Sequence, residues 1–201
     1  MRRVHLYIDG FNLYHALMNA PSLRGYRWLN FRRLGESIIS SKEQLAAIYY
    51  FTAFYPGDAA KTARHKTFIQ AQSLVGVQTI LGEFRRKDKY CRACRQTSPG
   101  YEEKETDVNI AVQILVDAAL NLMDKCIVLS NDSDLLPVIR ALKKTYPQIA
   151  VKLVFPPNQA SKALKAEVPD YMRLKERHLA ANQFPDPLLV GKASILKPPG
   201  W

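Results

Sequence analysis

The sequence has no apolar run approaching the ~18 residues that suggest a membrane-spanning helix, so no membrane association is expected. Its opening, M-R-R-V-H-L-Y-I-D-G, reaches a charge after only a few apolar residues. It lacks the apolar core and cleavage site of a signal peptide, which points to a cytoplasmic protein. Cysteine is scarce, with three residues, too few to suggest a disulfide framework. Cys91 and Cys94 form a C-x-x-C, but a structural zinc site usually takes four ligands, and none of the four histidines stands at ligand spacing from the pair. Zinc there would need distant residues or a second chain. Also absent are the G-x-G-x-x-G turn of dinucleotide-binding folds and the G-x-x-x-x-G-K-S/T loop of P-loop enzymes. Acidic residues are in deficit, 18 against 29 basic ones, for a net charge of +11 over 201 residues. That balance favours a polyanionic partner such as nucleic acid.

What is present is a core. Hydrophobic residues make up 47% of the chain, which does not suggest wholesale disorder. Residues 4–8 form a short apolar strand ending on Asp9, followed by Gly10 and by apolar residues at helical spacing to Met18. Asn12 falls in that helix's first turn. Residues 31–39 read as a second helix, 45–55 as an aromatic and β-branched strand, and 59–74 as a helix. Residues 75–84 read as a third strand, with Gly82 at a bulge. Residues 106–123 read as a heavily buried helix that Thr106 can cap, apolar along Val108, Ala111, Val112, Leu115, Ala119 and Leu122. A buried strand at 126–129, a helix at 135–145, a strand at 149–155, a short helix at 158–166, an edge strand at 171–174 and a helix at 175–180 follow. Alternating strands and helices imply a parallel sheet with crossover helices, an α/β fold. From Phe184 the proline-rich end reads as an extended tail packed on the domain.

The chain is organised around K-C-I-V-L-S-N-D-S-D-L-L-P-V, residues 125–138. A buried strand ends there in Ser130, Asn131, Asp132, Ser133 and Asp134, just before a helix. Ligands of open α/β sheets bind outside the carboxyl ends of the strands. Aspartates also cap helices, but one cap needs one carboxylate, and several polar groups crowd this turn. Asp9 repeats the pattern at the end of the first strand. Asp107, in the first turn of the helix from 106, is either a favourable charge at the helix dipole or a third carboxylate for the same crevice.

Residues 85–104 change character. Arg85, Arg86, Lys87, Lys89, Arg92 and Arg95 lie within eleven residues, with only Asp88 opposing them in that window. Tyr90 and Tyr101 are interleaved. This reads as an exposed basic excursion, its cations available for phosphates and its tyrosines for stacking.

Together Y-I-D-G-F-N-L (7–13), E-K-E-T-D-V-N-I-A-V (103–112), V-L-S-N-D-S-D-L-L-P-V (128–138), N-Q-F-P-D-P-L-L (182–189) and K-P-P-G-W (197–201) resemble the NYN-domain proteins, a branch of the PIN-like nuclease superfamily. The resemblance covers nearly the whole chain. It implies a Rossmann-like three-layer α/β/α sandwich with a mainly parallel sheet over residues 1–181, carrying the basic insertion at about 85–104 and the tail at 182–201. It also implies metal-dependent ribonuclease chemistry with Mg²⁺ or Mn²⁺. By position, Asp9, Asp107, Asp132 and Asp134 match the acidic, metal-holding cluster, and Asn12 and Ser130 match its polar companions. Asn131 stands where the family has glycine, and Gln113 where many relatives carry another acid. On this reading Arg85, Arg86, Lys87 and Lys104 hold single-stranded RNA, and the products carry a 5′-phosphate and a 3′-hydroxyl. The rival expectation is a non-catalytic RNA-binding adaptor or regulator with a vestigial metal site.

Overall fold

The structure is a computed structural model that describes residues 1–90, 92–191 and 193–201. Cys91 lies outside the described residues, and with it the question of zinc at Cys91 and Cys94. In chain order the elements are β1 (Arg2–Asp9), α1 (Gly10–Asn19), a 3-10 turn (Pro21–Tyr26), α2 (Phe31–Ile38), β2 (Glu43–Thr52), α3 (Ala59–Leu74), β3 (Gln78–Leu81) and β4 (Glu83–Arg86). There follow β5 (Lys89–Tyr90), β6 (Thr97–Ser98), β7 (Tyr101–Lys104), α4 (Thr106–Ala119), β8 (Lys125–Leu129), a 3-10 turn (Ser133–Leu135) and α5 (Leu136–Thr145). The last are β9 (Ala150–Phe155), α6 (Lys162–Glu167), β10 (Tyr171–Arg173), α7 (Glu176–Ala181), β11 (Leu188–Val190) and β12 (Ala193–Ile195).

Val4, Leu6 and Ile8 alternate along β1 with His5 and Tyr7, and all five are buried. A strand apolar on both faces belongs inside a parallel sheet. β1 pairs in parallel with β2 on one side and β8 on the other. The six-stranded sheet runs β10-β9-β8-β1-β2-β3, and every neighbouring pair is parallel. Val4, Leu6 and Ile8 face a core shared with α1, α2, α3 and α7. Tyr7, Tyr49 and Phe51 face a second core under α4, α5 and α6. This is the expected three-layer α/β/α sandwich. Among the described residues no helix is long and apolar enough to cross a membrane.

The expected third strand is two strands. β3 ends at Leu81, and β4 leaves the sheet to pair antiparallel with β7, Glu83 opposite Lys104 and Arg86 opposite Tyr101. Gly82 makes the departure, because a Cβ there would stand 2.6 Å from the Lys104 carbonyl oxygen. β4 and β7, with β5 and β6 beyond them, form an antiparallel arm over the basic stretch.

The expectation of a heavily buried helix from 106 to 123 is corrected. α4 ends at Ala119, and Asn121 beyond it turns at φ 51°. Ile110, Ile114, Asp117 and Ala118 are buried, while Val108, Val112, Leu115, Val116 and Leu120 are exposed. Thr106 does not cap the helix: its backbone N–H donates to Glu103 Oε1 at 3.0 Å, and its hydroxyl donates to the same oxygen. The short helix near 158–166 begins later, at Lys162, where the Ser161 hydroxyl accepts the Leu164 N–H.

The C-terminal stretch is partly folded rather than simply extended, with β11 and β12 forming a hairpin. Phe184 packs against Trp28 at 5.4 Å between centroids, and Trp201 packs against Trp28 and Phe68.

Candidate active site

In this strand order the chain moves outward from β1 to β2 and β3, then returns to β8 on the other side of β1. Such a reversal opens a crevice at the carboxyl ends of the two central strands. Asp9 ends β1, and Ser130 follows β8 directly.

Asp9 is buried and caps α1. Its Oδ1 accepts the Asn12 N–H at 2.9 Å, and its Oδ2 accepts the Ser130 hydroxyl at 2.7 Å. Gly10 permits the turn, since a Cβ there would stand 2.5 Å from the Phe51 carbonyl oxygen. Ser130 Oγ in turn accepts the Asp132 N–H at 3.0 Å, and Asn12 Oδ1 accepts the Asn131 N–H at 2.9 Å. The ends of β1 and β8 are thus tied together by side chains. Asp132 Oδ1 accepts the Asp134 N–H at 2.9 Å and caps the 3-10 turn before α5. Asn12 and Ser130 spend these atoms on holding the two strand ends in register. Asn131 Oδ1 is buried and has no hydrogen-bond partner among the described residues.

Asp107 arrives from the other direction, in the first turn of α4. Glu105 precedes that helix at φ 78°, a left-handed conformation uncommon for a residue with a side chain. Burial pushes the Asp107 carboxyl up to about 6, helped by the charges of Asp9, Asp132, Glu103 and Asp134. Burial also raises Asp9, with Asp132 and Glu103 adding to it, against the hydrogen bonds from Asn12 and Ser130. Asp9, Asp107, Asp132 and Asp134 therefore share one electrostatic neighbourhood, with Glu103 as a fifth acid. Glu103 lay inside a recognised motif without an assigned role. Its part comes from β7, which sets it beside Asp9, 94 residues away in sequence.

These acids, with an amide and a hydroxyl, are all-oxygen donors, the type a hard divalent cation takes. The open acceptor on Asn131 and the raised carboxyls of Asp9 and Asp107 fit that chemistry. The carboxylates are not drawn up as a closed cage: among the described residues no three His, Cys, Asp or Glu side chains stand close enough to hold an ion.

The basic residues sit on the arm, and its strands bring them more opposing charge than the sequence window showed. Arg85 pairs with Glu83 and Glu105, Lys87 with Glu102 at 2.7 Å, Lys104 with Glu102 at 3.2 Å, and Arg86 with Asp88 at 3.6 Å. All four cations are exposed. Exposed pairs of this kind are weak, so the cations can exchange partners.

Away from the crevice, Asp117 is buried in the second core. Its Oδ2 lies 2.7 Å from His5 Nδ1 and accepts the Tyr7 hydroxyl, and its Oδ1 accepts Gln113 Nε2 at 2.8 Å. Gln113, at the position where an acid was noted in relatives, thus serves this core network.

The family model of the NYN domain matches residues 3–175. The 6-hydroxy-3-succinoylpyridine 3-monooxygenase HspA of Pseudomonas putida is 24% identical over a 239-residue alignment that covers 99% of this chain and 75% of that protein. A Vibrio parahaemolyticus protein of unknown function, known from its crystal structure, superimposes with a TM-score of 0.63 at 15% identity, covering 87% of this chain and 94% of that one. At that identity the likeness is one of fold.

Proposed function

The chain belongs to the NYN-domain family of the PIN-like nuclease superfamily, and from that premise we propose that it is a metal-dependent ribonuclease that hydrolyses single-stranded RNA. Family membership supports a nuclease-related function in general. The observation that carries the finer reading is the group of acids at the strand switch point, where Asp107 is pushed up to about 6 by burial and by the charges of its neighbours.

In the proposed reaction the oxygen of a water molecule forms a bond to phosphorus and the bond from phosphorus to the 3′-oxygen breaks. The products carry a 5′-phosphate and a 3′-hydroxyl. The attacking water gives up a proton to solvent and the departing 3′-oxygen takes one from solvent, so the protons balance, and Asp107 enters the site from α4 as one of its carboxylates. Asp9 and Asp132, with Asp107 and Asp134, would hold Mg²⁺ or Mn²⁺. A bound ion of this kind lowers the pKa of water and offsets charge on the phosphate. Asn12 and Ser130 keep the two strand ends together. Arg85, Arg86, Lys87 and Lys104 hold the flanking RNA once their weak pairs open.

A second reading, a non-catalytic RNA-binding adaptor, has one observation in its favour: Asp9 and Asp132 already serve as caps, and the acids are not drawn into one coordination shell. HspA is named as a monooxygenase, and at 24% identity that name is said of HspA alone. Labelled single-stranded RNA and matching DNA, incubated with Mn²⁺ with and without chelator, separate the readings. RNA cleavage that chelator stops is the expected result. Binding without cleavage under Mn²⁺ favours the adaptor.

A further inference from the structure

A cavity of about 620 Å³ opens beside the acid crevice, between α1, the end of β2, α3 and the root of the arm. Its size is that of ordinary ligand sites. Gly10, the residue after Asp9, and Glu103 both line it, so it begins where the acids end. Its walls are aromatic. Toward the arm, Tyr55 meets the edges of Phe84 and Tyr101 at 5.4 and 5.5 Å between centroids. Its charge is mostly positive. Lys61 Nζ stands 5.2 Å from the centre of the Tyr14 ring and 5.3 Å from that of Tyr55, and Arg64 and Arg27 line the same space. Glu103 is the one carboxylate among the lining residues described, and its Oε1 is taken up by Thr106. Burial, with the charge of Lys61, holds His65 down to about 4. At neutral pH it is an uncharged ring, within hydrogen-bond reach of Tyr50 and Thr52.

We propose that this cavity is a nucleotide subsite, which takes one unstacked base of single-stranded RNA between its aromatic walls and sets the adjoining phosphates on Lys61 and Arg64. The proposal rests on the reading above that the protein binds single-stranded RNA. An aromatic and cationic site complements a flat ring attached to an anion. Every base offers a π-face to tyrosine and phenylalanine, so such stacking tolerates any sequence. The cavity's place against Gly10 seats the base within a short stretch of the scissile linkage. A paired, stacked duplex cannot present a base this way, which selects single strands.

The test measures affinity rather than cleavage, with full-length protein in chelator and a short oligoribonucleotide carrying one abasic ribose walked along its length. One abasic position should weaken binding to the wild type roughly tenfold, the usual size of a lost stacked base. Tyr55→Ala should weaken binding of the intact oligonucleotide similarly, and the abasic penalty should vanish in that variant. Lys61→Gln removes a charge with little change of shape, so it keeps the test open if Tyr55→Ala fails to fold; it should weaken binding and flatten its salt dependence. Equal affinity at every abasic position, or wild-type binding by the folded variants, overturns the subsite and leaves the cleavage reading standing. Binding with the expected signature but no cleavage under Mn²⁺ keeps the subsite and removes the nuclease. Lys61-dependent binding of pyridine-3-carboxylate by a protein that does not bind RNA overturns the proposal.

Discussion

Asp107 stands half-buried among other carboxylates, with its carboxyl raised to about 6 from an ordinary 3.8. The fold penalises its ionised form. Its contribution to stability is therefore full below the unfolded value and is lost as pH rises through about 6. Asp9, also raised, acts in the same direction. Without divalent metal, the share of stability due to Asp107 should fall as pH rises from about 4 to about 7, while the lowered imidazole of His65 adds stability over the same range. Asp107→Asn should remove that fall, so that stability rises more from pH 4 to 7 than in the wild type, and gain on the order of 1 kcal/mol at neutral pH, a figure already reduced for the screening of a half-exposed group. Melting curves across pH in chelator check this; an unchanged profile in the variant would show that Asp107 bears no such load. Asp9 and Asp132 were legible as acids at strand ends, although the same residues also read as caps, and in the structure they do cap. Local sequence could not decide between the two roles, because both need a carboxylate just before a helix. The orphaned oxygen of Asn131 was not legible at all, since its burial depends on the loop around it.

At the scale of the element, α4 and the arm are where sequence pattern and structure part. α4 is apolar on most sides, so periodicity could not say which face meets the sheet. The structure buries Ile110 and Ile114 and leaves Val108 and Val112 exposed. Ile114→Ala should cost about 2–5 kcal/mol, the range for emptying a core site. Val112→Lys should change stability by no more than ~0.5 kcal/mol. Chemical denaturation of both variants tests the assignment, and the reverse order would return the helix to the orientation expected from sequence. For the arm, the sequence window hid Glu83, Glu102 and Glu105, which reach the cations only because β4 and β7 pair. Replacing Arg85, Arg86 and Lys87 by alanine should still weaken RNA binding and reduce its salt slope by about 2, from ~0.7 per phosphate contact on a single strand. A slope equal to the wild type's would mean that the carboxylates keep these cations from the RNA.

Over the whole molecule, alternating strands and helices made the parallel sheet legible, while the central place of β1 and β8 in it comes from the structure. The order of the strands was not written in any one segment, yet it is that order which brings Asp9, Ser130 and Asp132 to a common crevice. The cavity was still less legible: its lining runs from Gly10 to Trp201, and no stretch of sequence contains it. The central claim joins these parts, holding that the acids at the switch point cleave RNA with the help of a divalent ion. Its most direct test is single-turnover cleavage of 5′-labelled single-stranded RNA in Mg²⁺ or Mn²⁺, comparing wild type with Asp132→Asn and identifying the product ends. The account predicts cleavage that chelator stops, 5′-phosphate and 3′-hydroxyl ends, and a variant slower by at least ~100-fold for loss of a group acting directly on the reaction. Cleavage that persists in chelator, a variant as fast as the wild type, or bound RNA left whole under both metals would contradict it.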